Sequence, residues 1–323
     1  MEIISENPQT STRIKYFGKG SEFALIYFKN ILLTILTFGI YYPWAKVNIL
    51  KYHYNASELN QYRFQFHATG TEVFKGFIKI YIILFLLYAF IFFGMQSQNE
   101  IILLSSVSVF YLFLIVIIPF AIHGTIRYRS AKSSWRGIYF NYLGNRSEFF
   151  WLCLKGTLLT ILTLGIYGSW FEVDIRKYIL SHLRFGNLSF DFKGKGGDLF
   201  WINVKFLLLF FLTLGIYSFW YYKNLWRFYL DNSTITQDGK TMNFKLNAKT
   251  VDFFELLFIN GILILFTLGI ATPWVMIRTL KFFFKFAEVD GFVDTKMIQQ
   301  VKYDIFDDAT GDSALDLLDF DLV

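Results

Sequence analysis

The stretch Leu159-Thr160-Ile161-Leu162-Thr163-Leu164-Gly165-Ile166-Tyr167-Gly168-Ser169-Trp170 decides how this chain is organised, because three close copies of it occur elsewhere. Every copy ends an apolar run and is followed by a segment rich in basic and aromatic residues. Tyrosine and tryptophan are enriched where helices meet the membrane–water interface, so the pattern indicates helices that reach a membrane boundary. The other copies are Thr37-Phe38-Gly39-Ile40-Tyr41-Tyr42-Pro43-Trp44, Thr213-Leu214-Gly215-Ile216-Tyr217-Ser218-Phe219-Trp220 and Thr267-Leu268-Gly269-Ile270-Ala271-Thr272-Pro273-Trp274.

Composition favours a membrane protein over a soluble one. Hydrophobic residues make up 54% of the 323 residues, whereas charged residues reach 17%, below the roughly 25% typical of soluble proteins. Forty Phe and twenty Tyr are too many for one core to cover, and contact with lipid removes that difficulty. The net charge is +6, but the basic residues alternate with apolar runs and form no single stripe, so we expect no nucleic-acid partner.

Internal repetition extends beyond this motif. With position zero set at Gly18, Gly144, Gly194 and Ala248, an acid, the motif glycine, the motif tryptophan and a later base recur at fixed offsets. A further stretch near Ala68 begins in the same way but contains a second apolar run. The sequence therefore predicts five internal repeats of about 50 residues, with units at about 13–61, 62–136, 137–186, 187–240 and 241–291.

The predicted fold is mainly α, a multi-pass α-helical membrane protein with about six transmembrane helices. Alternating residues before each position zero predict short β-strands outside the bilayer, because open strand edges are excluded from lipid. The segments after each tryptophan are predicted to be interfacial amphipathic helices, or alternatively soluble helices packed on the strands. The predicted spans are 23–41, 75–94, 101–123, 149–167, 199–217 and 253–271.

The basic segments create a conflict over topology. If each repeat with one apolar run crosses the bilayer once, successive basic segments lie on opposite faces, against the bias of Lys and Arg towards the cytoplasm. If the helix after the tryptophan turns back, the segments share a face, but Lys and Arg then enter lipid. We expect six spans with both ends in the cytoplasm.

The two ends of the chain and its motifs limit the function classes. Residues 1–12 are predicted to be a polar tail without the apolar core of a cleaved signal. Residues 292–323 are predicted to be an acidic, flexible tail that docks on a protein partner or on the basic body of the chain itself. Cys153 is the only cysteine, and no HExxH, nucleophile elbow or phosphate loop occurs. We therefore expect no enzyme activity, no metal and no cofactor.

The order of these features resembles the YjgN-like family of bacterial inner-membrane proteins of unknown function. Strand, glycine, acid, apolar helix, the Thr-Leu-Gly-Ile-Tyr-x-x-Trp motif and a basic aromatic helix follow one another over roughly residues 13–291. The motif is specific because it is repeated. The resemblance implies a multi-pass protein of the bacterial inner membrane and implies no reaction.

The repeated acids lie at predicted helix starts. Ser21, Thr71 and Ser147 each precede an acid, so the hydroxyl is expected to cap the helix while the carboxylate faces the positive end of the helix dipole. The alternative is a set of acids gathered at the entrance of a cation or proton path. The acids are Glu22, Glu72, Glu148, Asp198 and Asp252.

Two sets of bases are candidate ligand-binding residues. The first follows four of the five acids by seven residues, with Ile259 at this position after Asp252. It provides candidate intramembrane charges that bind an anion or a lipid headgroup, unless they extend to the interface. These are Lys29, Lys79, Lys155 and Lys205. The second set follows each tryptophan and is predicted to contact membrane phospholipid at about 1 kcal/mol each; its members are Lys51, Lys177, Arg227 and Lys281.

The motif glycines and tryptophans are predicted to be structural. A small glycine lets helices approach closely, and tryptophan belongs at the interface. A gating hinge is the alternative, because glycine at a helix end absorbs changes in dihedral angle. The residues are Gly39, Trp44, Gly165, Trp170, Gly215, Trp220, Gly269 and Trp274.

Repeated charges within internal repeats are typical of transport folds. The leading functional hypothesis is therefore a transporter- or channel-like protein of the inner membrane. Two alternatives are a membrane scaffold or assembly factor that recruits a partner through its acidic tail, and a phospholipid-binding membrane protein.

Overall fold

The computed structural model describes residues 11–301, and along them the order strand, helix, helix, strand occurs five times. Residues 1–10 and 302–323, which carry most of the two predicted tails, lie outside the described residues. The helices are α1 (Gly20–Leu36), α2 (Tyr42–Ala56), α3 (Gly70–Gln96), α4 (Glu100–Lys132), α5 (Arg146–Leu162), α6 (Gly168–His182), α7 (Gly196–Leu212), α8 (Ser218–Asp231), α9 (Thr250–Phe266) and α10 (Thr272–Phe286).

The strands form one antiparallel sheet that closes into a ring. The strands are β1 (Ser11–Thr12), β2 (Lys15–Tyr16), β3 (Ser57–Leu59), β4 (Tyr62–Phe66), β5 (Ser133–Trp135), β6 (Ile138–Tyr142), β7 (Leu183–Phe185), β8 (Leu188–Phe192), β9 (Ser233–Gln237), β10 (Lys240–Leu246) and β11 (Ala287–Asp290). Their spatial order is β1-β11-β10-β9-β8-β7-β6-β5-β4-β3-β2. The end strands β1 and β2 are separated by only Arg13 and Ile14, so the chain itself joins the two edges.

The predicted short strands are present, but each has a partner that the sequence pattern did not predict. The predicted alternating segments correspond to β2, β4, β6, β8 and β10, whereas β3, β5, β7, β9 and β11 each directly follow a second helix. The hairpin turns use residues at positive φ, for example Asn60 at 46° and Gly137 at 78°. Ser11 and Thr12, assigned to the polar tail, pair with β11.

The interior of the strand ring is a packed apolar core. Alternate residues of the strands point into it, as their two-residue period requires, and Trp135 is fully buried at its centre. The Trp135 indole donates hydrogen bonds to the carbonyl oxygens of Leu59 at 3.2 Å and Tyr62 at 3.0 Å. Other buried members are Phe64, Ile138, Phe185, Leu188, Ile235, Met242 and Val289.

The segment 291–301 continues from β11 into this core. Val293 and Ile298 are buried within it. Asp294 exchanges two hydrogen bonds of 2.9 Å with the Gln237 side chain, and the Gln299 N–H donates to Asn187 at 3.3 Å. The start of the predicted flexible tail is therefore part of the folded body, because its apolar residues complete the core.

The ten described helices form a second ring beside the strands. Each helix packs against the preceding and following helices, and α1 packs against α10 to close the ring. Three motif tryptophans, Trp44, Trp170 and Trp274, pack against the first turn of the next helix pair, where a Cβ added to Gly70, Gly196 or Gly20 would collide with the indole. These tryptophans therefore join neighbouring pairs, a role that the interfacial prediction did not include.

The Thr-x-Gly motif is a reversing turn between two antiparallel helices. Leu164 and Gly165 have φ angles of 52° and 93°, and the second value is one that glycine adopts without the strain of a Cβ. The Thr163 hydroxyl donates to the Leu159 carbonyl at 2.7 Å and accepts from the Tyr167 N–H at 2.9 Å. The threonine thus ties the end of α5 to the start of α6, and the same bonds recur at Thr37, Thr213 and Thr267.

These turns bear on two predictions about the motif. No atom lies within 4 Å of a Cβ built at Gly39 or Gly165, so these glycines are required by backbone conformation and not by close helix packing. The helix that follows each motif runs back to the sheet, since β6 and β7, which flank the α5/α6 pair, are neighbouring strands. The second helix of each pair folds back, as in the alternative topology in which the basic segments share one face.

Two helices within residues 11–301 are long and apolar enough to cross a membrane, and they are α3 and α4. Their 27 and 33 residues correspond to about 40 and 50 Å at 1.5 Å per residue. The other first helices, α1, α5, α7 and α9, have 17 residues each, or about 25 Å. Four of the six apolar runs predicted as spans therefore end at a reversing turn.

Candidate functional site

The acids at the helix starts are held by local contacts. Thr69 and Glu72 form a capping box, with hydrogen bonds of 3.4 and 3.3 Å, and Asn145 caps α5 through its side chain. The N-caps therefore lie two residues before the hydroxyls predicted for this role, and Thr71 and Ser147 are inside their helices. Glu22 pairs with Lys19 at 2.9 Å, and Asp252 accepts from the Lys249 N–H at 2.7 Å. Asp198 lies in the first turn of α7.

Two of these helix starts are each held by a tyrosine from the second helix of the same pair. The Tyr178 hydroxyl donates to the Asn145 carbonyl at 3.0 Å, accepts from the Asn145 N–H at 2.9 Å, and lies 3.1 Å from the Glu148 carboxylate. Tyr52 makes the same two backbone bonds to Lys19. Burial raises the pKa of Tyr178, so its hydroxyl stays neutral. In the sequence, Tyr52 and Tyr178 each directly follow a base of the set after the tryptophans, Lys51 and Lys177.

The two predicted sets of bases converge in clefts between the helices of a pair. Lys155 of α5 and Lys177 of α6 line one cleft of about 550 Å³ together with Asp174 and Tyr167. The helices are antiparallel, so bases that are 22 positions apart in the sequence face the same space. Trp151, which is 62% exposed, lies at the same cleft.

Two further clefts occupy corresponding places in the next pairs. Between α7 and α8, Lys205 and Arg227 line a cleft of about 300 Å³ with Asp231 and Tyr217. Between α9 and α10 the lysine position is Ile259. The third cleft, of about 160 Å³, instead has Lys281 with Arg278, Lys285, Asp252 and Glu255. The lining of each cleft contains one more base than acid.

The remaining candidate bases lie outside these three clefts. Lys29 of α1 and Lys51 of α2 occupy the positions that correspond to Lys155 and Lys177. Lys79 lies on the exposed surface of α3. Lys29, Lys79, Lys155 and Lys205 are all exposed, and none points into a closed bundle interior. No group of three or more His, Cys, Asp or Glu in the described part of the chain could hold a metal ion.

The acids already present leave basic groups available in the clefts. Asp231 accepts a hydrogen bond from the Leu246 N–H at 2.9 Å, and Glu255 pairs with Arg278 at 3.3 Å. The Tyr167 hydroxyl donates to Asp174 at 3.4 Å. Two bases on facing helices, open to the side and beside aromatic rings, suit a phosphate-bearing ligand with an apolar part.

The family described as "Bacterial protein of unknown function (DUF898)" matches residues 11–212 and 221–317. The chain belongs to the DUF898 family. The match begins at β1 and covers nearly all of the described strands and helices, including every residue named at the three clefts except Tyr217. No solved structure matches the chain.

The chain is also similar to curated proteins that are named as inner membrane proteins. Inner membrane protein YjgN of Salmonella typhimurium is 29% identical over 166 residues, which is 51% of this chain and 40% of the relative. The protein of the same name from Escherichia coli is 28% identical over 164 residues, or 51% and 39%. The chain thus matches about two fifths of the length of these relatives. The YjgN-like resemblance is confirmed, and the long apolar α3 and α4 fit insertion into the inner membrane.

Proposed function

We propose that this DUF898 member is a phospholipid-binding membrane protein that holds anionic headgroups in the clefts between its paired helices. The observation that carries the proposal is the convergence of Lys155 with Lys177, and of Lys205 with Arg227, on opposite walls of laterally open clefts. Each base near an anionic membrane surface contributes about 1 kcal/mol. A cleft with two such bases and a tyrosine hydroxyl is a stronger site than scattered surface bases.

In the proposed arrangement, the five strand–helix–helix–strand units are copies of one module placed around a ring. Corresponding bases then recur around the ring at one level, on the helix side of the strands. The module in 62–136 differs because its helices α3 and α4 are longer. Several quasi-equivalent clefts at one level would contact several lipids of the same leaflet.

A transporter- or channel-like function has less support. The leading hypothesis required a polar path through the repeats, but apolar residues such as Trp135 and Leu188 fill the strand ring. The three clefts are also formed within separate helix pairs, so they do not provide one continuous route. The scaffold hypothesis depends on the acidic segment 302–323, which lies outside the described residues.

Neutralising one cleft is expected to weaken binding of phosphatidylglycerol. Lys155→Gln with Lys177→Gln removes two bases and therefore about 2 kcal/mol of binding free energy. This loss corresponds to a roughly 30-fold larger dissociation constant for that site. To limit binding by the neighbouring cleft, these two substitutions should also be combined with Lys205→Gln and Arg227→Gln in a four-residue cleft variant. Lipid titration by native mass spectrometry in a neutral detergent measures the effect.

The matched control is Arg63→Gln with Lys240→Gln, which removes two bases from the exposed surface of the strand ring. It should leave phosphatidylglycerol binding within twofold of the unaltered protein. Equal lipid retention by the control and the four-residue cleft variant would show that the clefts do not bind the headgroup.

A further inference from the structure

The ends of the helix pairs away from the strands are of two chemical kinds. Four pairs end in a residue that precedes the motif glycine and whose large apolar side chain is 88–94% exposed; we call these the apolar tips, and they are Phe38, Leu164, Leu214 and Leu268. The α3/α4 pair instead ends in the polar stretch Gln96-Ser97-Gln98-Asn99-Glu100. Both kinds of end belong to pairs that begin at the same strand ring.

Helix lengths place these ends at different distances from the level of the lysines. Nine residues separate Lys155 from Leu164, and the same spacing holds for Lys29 and Lys205, which gives about 13 Å along a helix. From Lys79 to Gln96 there are 17 residues, or about 26 Å. The hydrocarbon core of a bilayer is about 30 Å thick, so the first distance approaches half of it and the second approaches all of it.

The backbone of the apolar tips meets the strict requirement of the hydrocarbon, where every N–H must be paired within the protein. At the α5/α6 tip, the N–H groups of residues 163–168 all donate to protein acceptors at 2.7–3.1 Å. The Gly165 N–H reaches the Thr160 carbonyl, and the Tyr167 N–H reaches the Thr163 hydroxyl. The tips around Phe38, Leu214 and Leu268 have the same pattern.

The residue types at the tips also favour lipid over water. Phe38, Leu164, Leu214 and Leu268 have φ angles of 50–52°, a left-handed conformation in which Asn and Asp are enriched among residues other than glycine. An exposed turn in water would suit those polar residues on both backbone and solvation grounds. Leucine and phenylalanine at all four positions are explained by hydrocarbon around the side chain.

We infer that four helix pairs insert into a single leaflet, with their apolar tips near the bilayer mid-plane, and that only the α3/α4 pair crosses to the opposite surface. The strand ring then lies in water on one side, the lysines lie at headgroup level, and the polar 96–100 turn emerges on the other side. The partner of the apolar tips is the acyl-chain region of one leaflet. Failure of headgroup binding in the clefts would leave this arrangement unchanged.

Depth measurements with nitroxide labels test the arrangement in the full chain. Single cysteines at Leu164, Leu214, Gln98 and Asn187 are introduced in a Cys153→Ala background and reconstituted into phosphatidylethanolamine–phosphatidylglycerol vesicles. Labels at 164 and 214 should be accessible to oxygen and shielded from an aqueous nickel chelate, at a depth of about 13–15 Å. Labels at 98 and 187 should contact the chelate, and an impermeant reductant should reach them from opposite faces.

Two outcomes would overturn the inference. The first is exposure of the 164 and 214 labels to the nickel chelate, which would place the tips in water. The second is reduction of the 98 and 187 labels from the same face, which would show that α3/α4 does not cross. The paired labels at 164 and 214 guard against a local disturbance at one tip.

Discussion

Aspartate in place of Leu164, Leu214 and Leu268 is expected to prevent stable insertion of three helix pairs into the bilayer. A charged aspartate at the centre of a membrane helix costs about 2.5–3.5 kcal/mol. Three such changes therefore destabilise the inserted state by roughly 7.5–10.5 kcal/mol, comparable with the whole stability of a typical domain. Urea titration of the protein in liposomes, followed by circular dichroism, measures the loss.

Aspartate is compatible with the backbone conformation of these turns. The variant therefore tests insertion into the bilayer separately from formation of the turns. Aspartate tolerates φ angles near 50° better than leucine does, so the turns should form in detergent, where the tips can contact water. Phenylalanine at the three positions is the matched control, since Phe38 occupies the corresponding tip. Equal stability of the aspartate and phenylalanine variants in liposomes would place the tips outside the hydrocarbon.

Trp135→Ala is expected to cause the largest loss of stability from one change in the strand ring. Trp135 is fully buried, and truncating such a residue costs about 3–5 kcal/mol. The change also removes the donor to the Leu59 and Tyr62 carbonyls. Urea titration in detergent, followed by the far-ultraviolet circular dichroism of the backbone, measures the difference in unfolding free energy.

The control for this experiment is Trp151→Ala, since Trp151 is 62% exposed on α5. Its replacement removes an indole of the same size without opening the core, so it should change stability by less than about 0.5 kcal/mol. A loss at Trp135 as small as that at Trp151 would mean that the strand ring is not a packed core.

The sequence predicted the elements that show a long local pattern. The apolar runs form helices, and alternating segments such as 64–66 lie in strands, here β4. Three of the five partner strands were missed because they have only three residues, as in Ser57–Leu59, which are too few to display a two-residue period. Ring closure was also missed, since the pairing of Thr12 with Val289 joins the two ends of the folded body.

The sequence pattern did not distinguish crossing from reversal, because an apolar run that continues across a membrane and one that turns back end in the same way. Both are followed by aromatic and basic residues. The deciding features are the φ angle of 52° at Leu164 and the hydrogen bonds of Thr163 on both sides of the turn. Periodicity does not report either of them.

The clefts followed from residues that the sequence had singled out for separate reasons. Lys155 was a candidate intramembrane charge and Lys177 a candidate headgroup contact, and both line one cleft. Their meeting depends on the reversal at Gly165, which places α5 and α6 side by side. Asp174 was not singled out, and Tyr167 was noted only as an aromatic residue of the motif, because only the folded pair shows that they share this cleft.

The reversal of the helix pairs is tested most directly by the sidedness of two successive strand hairpins. Cysteines at Asn187 and Asp238, on either side of the α7/α8 pair, are introduced in the Cys153→Ala background and exposed to an impermeant maleimide in closed vesicles of known orientation. Because α7 and α8 both start and end at the strand ring, both cysteines are predicted to be labelled from the same face. Labelling from opposite faces would mean that the apolar run 199–217 crosses the bilayer once, and would contradict the helix-pair architecture.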